Sequence, residues 1–137
     1  MAKQEEINWN KLKFEAMKVL DNSYAPFSDY NVSAALLTSK GNIYTGVNVE
    51  NSSFGLTNCA ERTAVFKAVT SGELKFDAIF IMSSDKKPAY PCGACRQVLA
   101  EFSPQMLVGV YNQEVDNIDV SRLDELLPHT FHFKKKP

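Results

Sequence analysis

The placement of the chain's three cysteines is the strongest constraint on how the sequence can fold. Cys92 and Cys95 stand three residues apart behind Pro91, and Cys59 lies far upstream. Each of these two groups begins a predicted helix, and in a first helical turn the sulfurs of Cys92 and Cys95 can face one point. The unpaired N–H groups and the positive dipole end of a helix start favour thiolates. A fold that brings the two helix starts together therefore gathers three thiolates.

Length and composition predict one globular domain spanning residues 1–137. Apolar residues make up 45% of the chain and charged residues 23%, which is typical of a protein that buries its own core. The net charge is -1, so no basic field predicts binding to nucleic acid. We expect neither a secretory signal nor a membrane span, because no apolar run is long enough. Three cysteines cannot all pair within the chain, which favours a reducing, cytoplasmic location.

The spacing of apolar residues predicts helices and strands that alternate along the chain. Segments that repeat apolar residues at helical spacing are interrupted by dense apolar runs and by turn-forming residues. This order predicts an α/β domain with a mixed sheet and helices on its faces. The predicted elements are a helix over 7–22, a β-hairpin over 31–50, a helix over 59–70, a strand over 76–84, a helix over 92–102, a strand over 106–112 and a short helix within 120–128.

Three converging thiolates fit one Zn²⁺ ion per chain, because zinc accepts sulfur and takes four ligands. With Cys59, Cys92 and Cys95 as ligands, the fourth position remains for water, as in catalytic zinc sites. Each part of the pattern also has another interpretation when taken separately. The C-x-x-C pair fits a redox site, and Cys59 fits ordinary core packing. A redox pair, however, needs no third cysteine upstream.

Two charged residues follow Cys59 on the same predicted helical turn. Glu61 would lie close to the metal without ligating it, where a carboxylate can transfer protons. Alternatively, Asn58 and Glu61 have the spacing of a capping box, in which Glu61 only stabilises the helix start. Arg62 is placed to hydrogen-bond to a thiolate and so offset the negative charge of the site. Arg96 is a second candidate for that role.

The combined pattern resembles the signature of zinc deaminases, in which a ligand, one spacer and a glutamate precede Pro-Cys-x-x-Cys. It is present here in residues 59–61 and 91–95, with cysteine as the first ligand. The blocks "NVEN", "NCAERTA" and "PCGACRQV" resemble those of the small homotetrameric cytidine deaminases, in the same order and at similar spacing. The resemblance runs from about Tyr24 to Phe131, nearly the whole chain.

This resemblance implies a fold and a reaction. The fold is the three-layer α-β-α cytidine deaminase-like fold, with a mixed five-stranded sheet and helices on both faces. The reaction is the zinc-dependent hydrolysis of cytidine and deoxycytidine to uridine and deoxyuridine plus ammonia, in pyrimidine salvage. Deamination of another aminopyrimidine, such as blasticidin S or a cytosine in nucleic acid, is the alternative within the fold. Outside it, the alternatives are a non-catalytic zinc module and a redox protein.

The resemblance also implies a set of substrate contacts. Asn48 and Glu50 match residues that bind the ribose near its 3'-hydroxyl, and Ala60 matches a further substrate contact. Tyr30 stands where the family usually has a phenylalanine that stacks on the base, and it offers an equivalent ring. Ser33 replaces a glycine that is common in the family.

Phe54 and Phe131 match aromatic residues that complete active sites across subunit boundaries in the tetrameric members. The resemblance therefore implies a homotetramer with shared active sites and a small-molecule nucleoside as substrate. By sequence alone, both phenylalanines would be read as core residues.

Overall fold

The computed structural model describes residues 3–136 and contains, within them, one five-stranded sheet. In chain order its strands are β1 (Val32–Thr38), β2 (Ile43–Val47), β3 (Phe76–Ser83), β4 (Leu107–Asn112) and β5 (Asn117–Arg122). They lie side by side in the order β2-β1-β3-β4-β5. β3 and β4 are parallel, and the other neighbouring strands are antiparallel. The predicted mixed five-stranded sheet is confirmed.

Helices cover both faces of this sheet, which confirms the predicted three-layer arrangement. On one face, α1 (Trp9–Val19) buries Leu12 and Ala16 against side chains that include Phe80 of β3. On the other face, α2 (Ala60–Thr70) and α3 (Gly93–Phe102) share a second core cluster, to which Val65 and Leu99 belong. None of the described helices is both long and apolar enough to cross a bilayer. A short helix, α4 (Leu123–Leu126), follows β5.

β3 is an almost continuous apolar run because it is central in the sheet and covered on both faces. Seven of its eight residues are buried, and Asp77 is the exception. Ile79 and Ile81 belong to the cluster with α2 and α3, whereas Phe80 and Met82 belong to the cluster with α1. A strand buried on both faces shows dense apolar sequence rather than alternation.

The C-terminal part of the sequence prediction was wrong in one element. Residues 120–122, predicted to begin a helix, end β5 instead, and α4 has only four residues. β5 pairs only with β4 at the edge of the sheet, and its residues are at most partly buried. Ile118 and Val120 alternate with polar residues, which is the two-residue period of a strand. The alternation is too short to stand out beside the helical spacing that follows it. The first helix is also shorter than predicted, since it ends at Val19 and a 3₁₀ turn, Leu20–Asn22, follows.

Gly46 of β2 allows the first turn of α2 to lie directly on the sheet. A Cβ atom at this position would lie 2.3 Å from the carbonyl oxygen of Ala60 and 2.5 Å from the backbone nitrogen of Ala64. Both distances are shorter than any normal contact, so a side chain here would displace the helix. Gly46 therefore determines where the N-terminus of α2 lies.

We expect Gly46→Ala to destabilise the protein by about 1–3 kcal/mol, the usual cost of overpacking a core. Because the shift moves the start of α2, bound zinc should also fall. Thermal unfolding and elemental analysis of the same samples test both effects. Gly55→Ala is the control, since a Cβ there meets nothing within 4 Å. Equal stability and equal zinc content in the two variants would contradict the assignment.

Candidate active site

The N-termini of α2 and α3 meet, and they bring the three cysteines together. Cys59 is the N-cap of α2, Cys92 is the N-cap of α3, and Cys95 is the third residue of α3. Their Sγ atoms all lie within 4.8 Å of one another, and those of Cys59 and Cys92 are 4.0 Å apart. All three are free thiols, and neither N-cap side chain bonds to its own helix.

This cluster has the chemistry and the dimensions of a zinc site. Two sulfurs bound tetrahedrally at about 2.3 Å from zinc lie about 3.8 Å apart. The separation of 4.0 Å between the sulfurs of Cys59 and Cys92 is close to that value. Three soft sulfur donors select zinc over magnesium or calcium, which take oxygen ligands. Three thiolates also leave one of zinc's four positions open.

Arg62, as predicted, contacts the cluster. Its Nη2 atom donates a hydrogen bond to Sγ of Cys59 at 3.3 Å. The pKa of Cys59 is lowered to about 5, first by a hydrogen bond from Cys95 and then by Arg62. The same bond to Cys59, together with burial, raises the pKa of Cys95. Cys59 therefore ionises more readily than Cys95.

Arg96, the second candidate for offsetting charge, bonds elsewhere. Its Nε atom donates to the carbonyl oxygen of Pro91, and its Nη1 atom donates to that of Leu126, both at 2.7 Å. Arg96 thus ties the segment before Cys92 to α4. By fixing this segment, Arg96 helps to position Cys92. Arg96 makes no hydrogen bond to the sulfurs of the cluster.

Glu61 is a buried carboxylate beside the thiols. It is the second residue of α2 and only 5% exposed. Burial raises its pKa to about 7, and the negative charge of Cys59 adds to the shift. The capping-box interpretation is wrong, because Cys59 rather than Asn58 is the N-cap. The Asn58 amide instead donates to Oγ1 of Thr63 at 3.2 Å.

A cavity of about 330 Å³ opens beside the cluster. Its walls include Glu61 and the first turn of α2, with Ala60, and they also include Tyr30. Pockets of this size accept one small molecule. The family resemblance implies that Asn48 and Glu50 bind the substrate, and both line this cavity.

Asn48 and Glu50 follow β2, which ends at Val47, rather than lying in it. The side chain of Asn48 accepts from the backbone nitrogen of Val32 at 2.9 Å and donates to the carbonyl oxygen of Tyr30 at 2.7 Å. The Asn48 side chain therefore holds Tyr30 and the start of β1 in place as well as lining the cavity.

Phe54 and Phe131 lie on the surface and not in the cavity wall. Phe54 is 74% exposed and Phe131 is 69% exposed, so the reading of both as core residues is wrong. The ring of Phe54 packs edge-to-face against that of Phe27, with centroids 5.7 Å apart. The carbonyl oxygen of Phe131 accepts from Gln97 of α3 at 3.1 Å.

Sequence reasoning assigned no role to three polar residues of the cavity wall, Ser28, Thr57 and Tyr90. Tyr90 directly precedes Pro91, so its closeness to the cysteine motif was the available signal. Its hydroxyl donates to Oδ2 of Asp119 at 3.2 Å, a residue of β5, the strand that the sequence pattern did not predict. Ser28 lies in the turn-rich segment before β1, two residues before Tyr30, and that spacing was the available signal.

A three-layer fold with a three-thiol cluster, a buried carboxylate and an open cavity defines a metal-dependent enzyme. The model of the zinc-binding region of cytidine and deoxycytidylate deaminases matches residues 8–110, and the chain belongs to that family. The family's region binds zinc, and Cys59, Cys92 and Cys95 form the cluster that can hold one ion.

Individual proteins that are similar to this chain are cytidine deaminases. The cytidine deaminase of Halalkalibacterium halodurans is 45% identical over 120 residues, which are 85% of this chain and 89% of that protein. That of Sporosarcina psychrophila is 46% identical over 122 residues, 88% of this chain and 89% of its own length. The crystal structure of cytidine deaminase from Burkholderia pseudomallei superposes with a TM-score of 0.85 at 41% identity. It covers 91% of this chain and 100% of that one.

We expect the purified protein to contain close to one zinc ion per chain, and Cys92→Ala or Cys95→Ala to lose it. Removing one thiolate leaves too few soft ligands for tight binding. Elemental analysis after dialysis measures the metal directly. His132→Ala is the control, because that exposed side chain lies outside the cluster and should leave zinc unchanged. Full zinc retention in both cysteine variants would contradict this assignment.

Proposed function

We propose that this single-domain enzyme hydrolyses cytidine and deoxycytidine to uridine and deoxyuridine, releasing ammonia, as a step in pyrimidine salvage. The observation that carries the proposal is the buried Glu61 carboxylate beside three converging thiols, in the wall of a cavity of about 330 Å³. A nucleoside is a small molecule, and that volume lies within the range of small-molecule sites.

The chemistry at the base assigns the roles of Glu61 and the three cysteines. Cys59, Cys92 and Cys95 would hold zinc, which lowers the pKa of water so that water can attack C4 at neutral pH. Glu61 accepts the proton that this water loses and passes it to N3 of the ring. It then accepts the second proton, from the hydroxyl now attached to C4, and passes it to the departing amine as the carbonyl forms. One carboxylate suffices because each proton that it accepts is passed on before the next arrives.

Charge at the cluster requires compensation by the protein. Three thiolates and one Zn²⁺ carry a net charge of about −1, which weakens the metal's pull on electrons. The N-termini of α2 and α3 direct unpaired N–H groups toward the cluster. The hydrogen bond from Arg62 to Cys59 withdraws further charge from one sulfur.

The remaining cavity wall suits a nucleoside rather than a nucleic acid. Glu50 offers a carboxylate and Asn48 an amide where a ribose hydroxyl can bind, and Tyr30 offers a ring to the base. A carboxylate at the sugar repels the phosphate that follows an internal nucleotide. The net charge of -1 provides no basic surface for a polynucleotide.

We expect Glu61→Gln to keep its melting temperature and zinc while losing about 10²–10⁴-fold in turnover of cytidine, the usual contribution of a positioned acid–base group. Turnover is followed by the loss of cytidine absorbance together with ammonia release, with deoxycytidine and blasticidin S assayed alongside. Wild-type protein that releases ammonia from blasticidin S but not from cytidine would reject the proposed substrate.

Glu73→Gln is the matched control for this variant. Glu73 is the other buried glutamate in the part of the chain that the structure describes, 6% exposed, and it bonds to Asn42 and Tyr44. Its replacement should affect stability and leave turnover near the wild-type value. If both variants lose turnover equally, the loss follows from removing any buried carboxylate. That result would contradict a catalytic role that is specific to Glu61.

We also propose a homotetramer with shared active sites, in a cytoplasmic, reducing compartment. The exposed ring of Phe54 packs against the half-exposed ring of Phe27, and such an exposed apolar patch supports association. The free thiols support the compartment, since a disulfide between any two cysteines would remove the metal site.

Shared sites predict complementation between two inactive variants. Glu61→Gln and Phe131→Ala chains should each be weakly active alone, and co-refolded mixtures should recover part of the activity. In mixed tetramers, an intact Glu61 can meet an intact Phe131 of a neighbour. Light scattering on the active material gives the assembly. Full activity in a species of monomer mass would contradict the shared site.

A further inference from the structure

The Glu50 carboxylate is held by the loop that precedes β1. Its Oε1 atom accepts from the backbone nitrogens of Phe27, at 2.9 Å, and Ser28, at 3.2 Å. Its Oε2 atom accepts from the hydroxyl of Ser28. Within the described residues, no lysine or arginine forms a salt bridge with Glu50. Hydrogen bonds from this loop therefore stabilise the carboxylate's charge.

The Ser28 hydroxyl lies between this carboxylate and the residue proposed to stack on the base. It donates its single hydrogen to Glu50 and accepts from the backbone nitrogen of Tyr30 at 3.1 Å. The bond from Ser28 is the main cause of the lowered pKa of Glu50, which keeps the carboxylate ionised. An ionised carboxylate only accepts, so the direction of each hydrogen bond in this chain is fixed.

The number of acceptor positions on Glu50 limits what a ligand can use. A carboxylate has about four lone-pair positions, and the loop occupies three of them. Glu50 and Ser28 both line the cavity. The remaining position is on Oε2, and Ser28 is the protein donor that holds this oxygen. Without the hydroxyl, Oε2 would have no protein donor, and water would compete for the place of a ligand.

We propose that Ser28 is a positioning residue for sugar recognition: its hydroxyl holds Oε2 of Glu50 so that the carboxylate presents one acceptor position to a sugar hydroxyl. This inference rests on the proposed function, since it takes the ligand to be a nucleoside. A preorganised acceptor raises affinity because its orientation is set before the ligand arrives. Ser28 thus acts through Glu50 and carries out no step of the reaction.

The test is calorimetric binding of cytidine to the full-length, zinc-loaded protein. The parent carries Glu61→Gln, so that binding is measured without turnover. Ser28→Ala should weaken the Kd by about 10- to 100-fold, the range for hydrogen bonds to charged groups. Ser28→Thr, which keeps the hydroxyl at an exposed position, should bind close to the parent value.

Ser39→Ala is the matched control, because it removes another exposed hydroxyl that donates to a carboxylate. That bond, to Asp77 at 3.2 Å, lies outside the cavity wall. Ser39→Ala should therefore leave the Kd unchanged. Equal affinities of the Ser28→Ala and Ser39→Ala proteins would overturn the proposal.

A Glu50→Gln background separates action through Glu50 from a general effect on the loop. There the Ser28→Ala change should cost nothing further, since the carboxylate that it positions is gone. If Ser28→Ala still weakens cytidine binding in this background, Ser28 acts through Tyr30 and the loop rather than through Glu50. That result would overturn the inference. Cytidine that binds without ammonia release from wild-type protein would reject the proposed reaction alone. No binding of cytidine to the parent would overturn both.

Discussion

Convergence of two helix N-termini on the sheet is the constraint on which the rest of the structure depends. Gly46 lets α2 lie close to β2, and Arg96 ties the start of α3 to α4. Cys59 and Cys92 then face each other with their sulfurs 4.0 Å apart. Unpaired N–H groups at both helix starts favour negative charge there. The same geometry that gathers the thiols also buries Glu61 beside them.

A second set of contacts builds another part of the cavity wall from a segment with little regular structure. The side chains of Asn48 and Glu50 bond to backbone groups of the loop before β1 and of the first residue of β1. Outside helices and strands, backbone N–H and C=O groups need other partners, and these two side chains supply some of them. The residues proposed to bind the sugar are therefore also the residues that shape the wall around it. Ser28 takes part in both, because its hydroxyl donates to Glu50 and the residue itself lines the cavity.

The surface of the protein carries aromatic side chains that the chain does not bury itself. Phe27 and Phe54 pack on each other but stay half exposed or more. Phe131 lies beyond α4 and is held to α3 through its backbone. Their exposure agrees with the proposed assembly, in which neighbours would cover these rings and close the cavity.

The sequence by itself determined the layered α/β fold, the helix starts and the metal-binding residues. Apolar periodicity marks helices and central strands, and the cysteine motifs are local in sequence. Only the tertiary structure decided which polar groups meet across distant segments, such as Ser28 with Glu50, or Tyr90 with Asp119. It also identified β5, whose half-exposed edge position weakens its apolar signal. Contacts between distant residues depend on how the elements pack, and no local pattern in the chain records that packing.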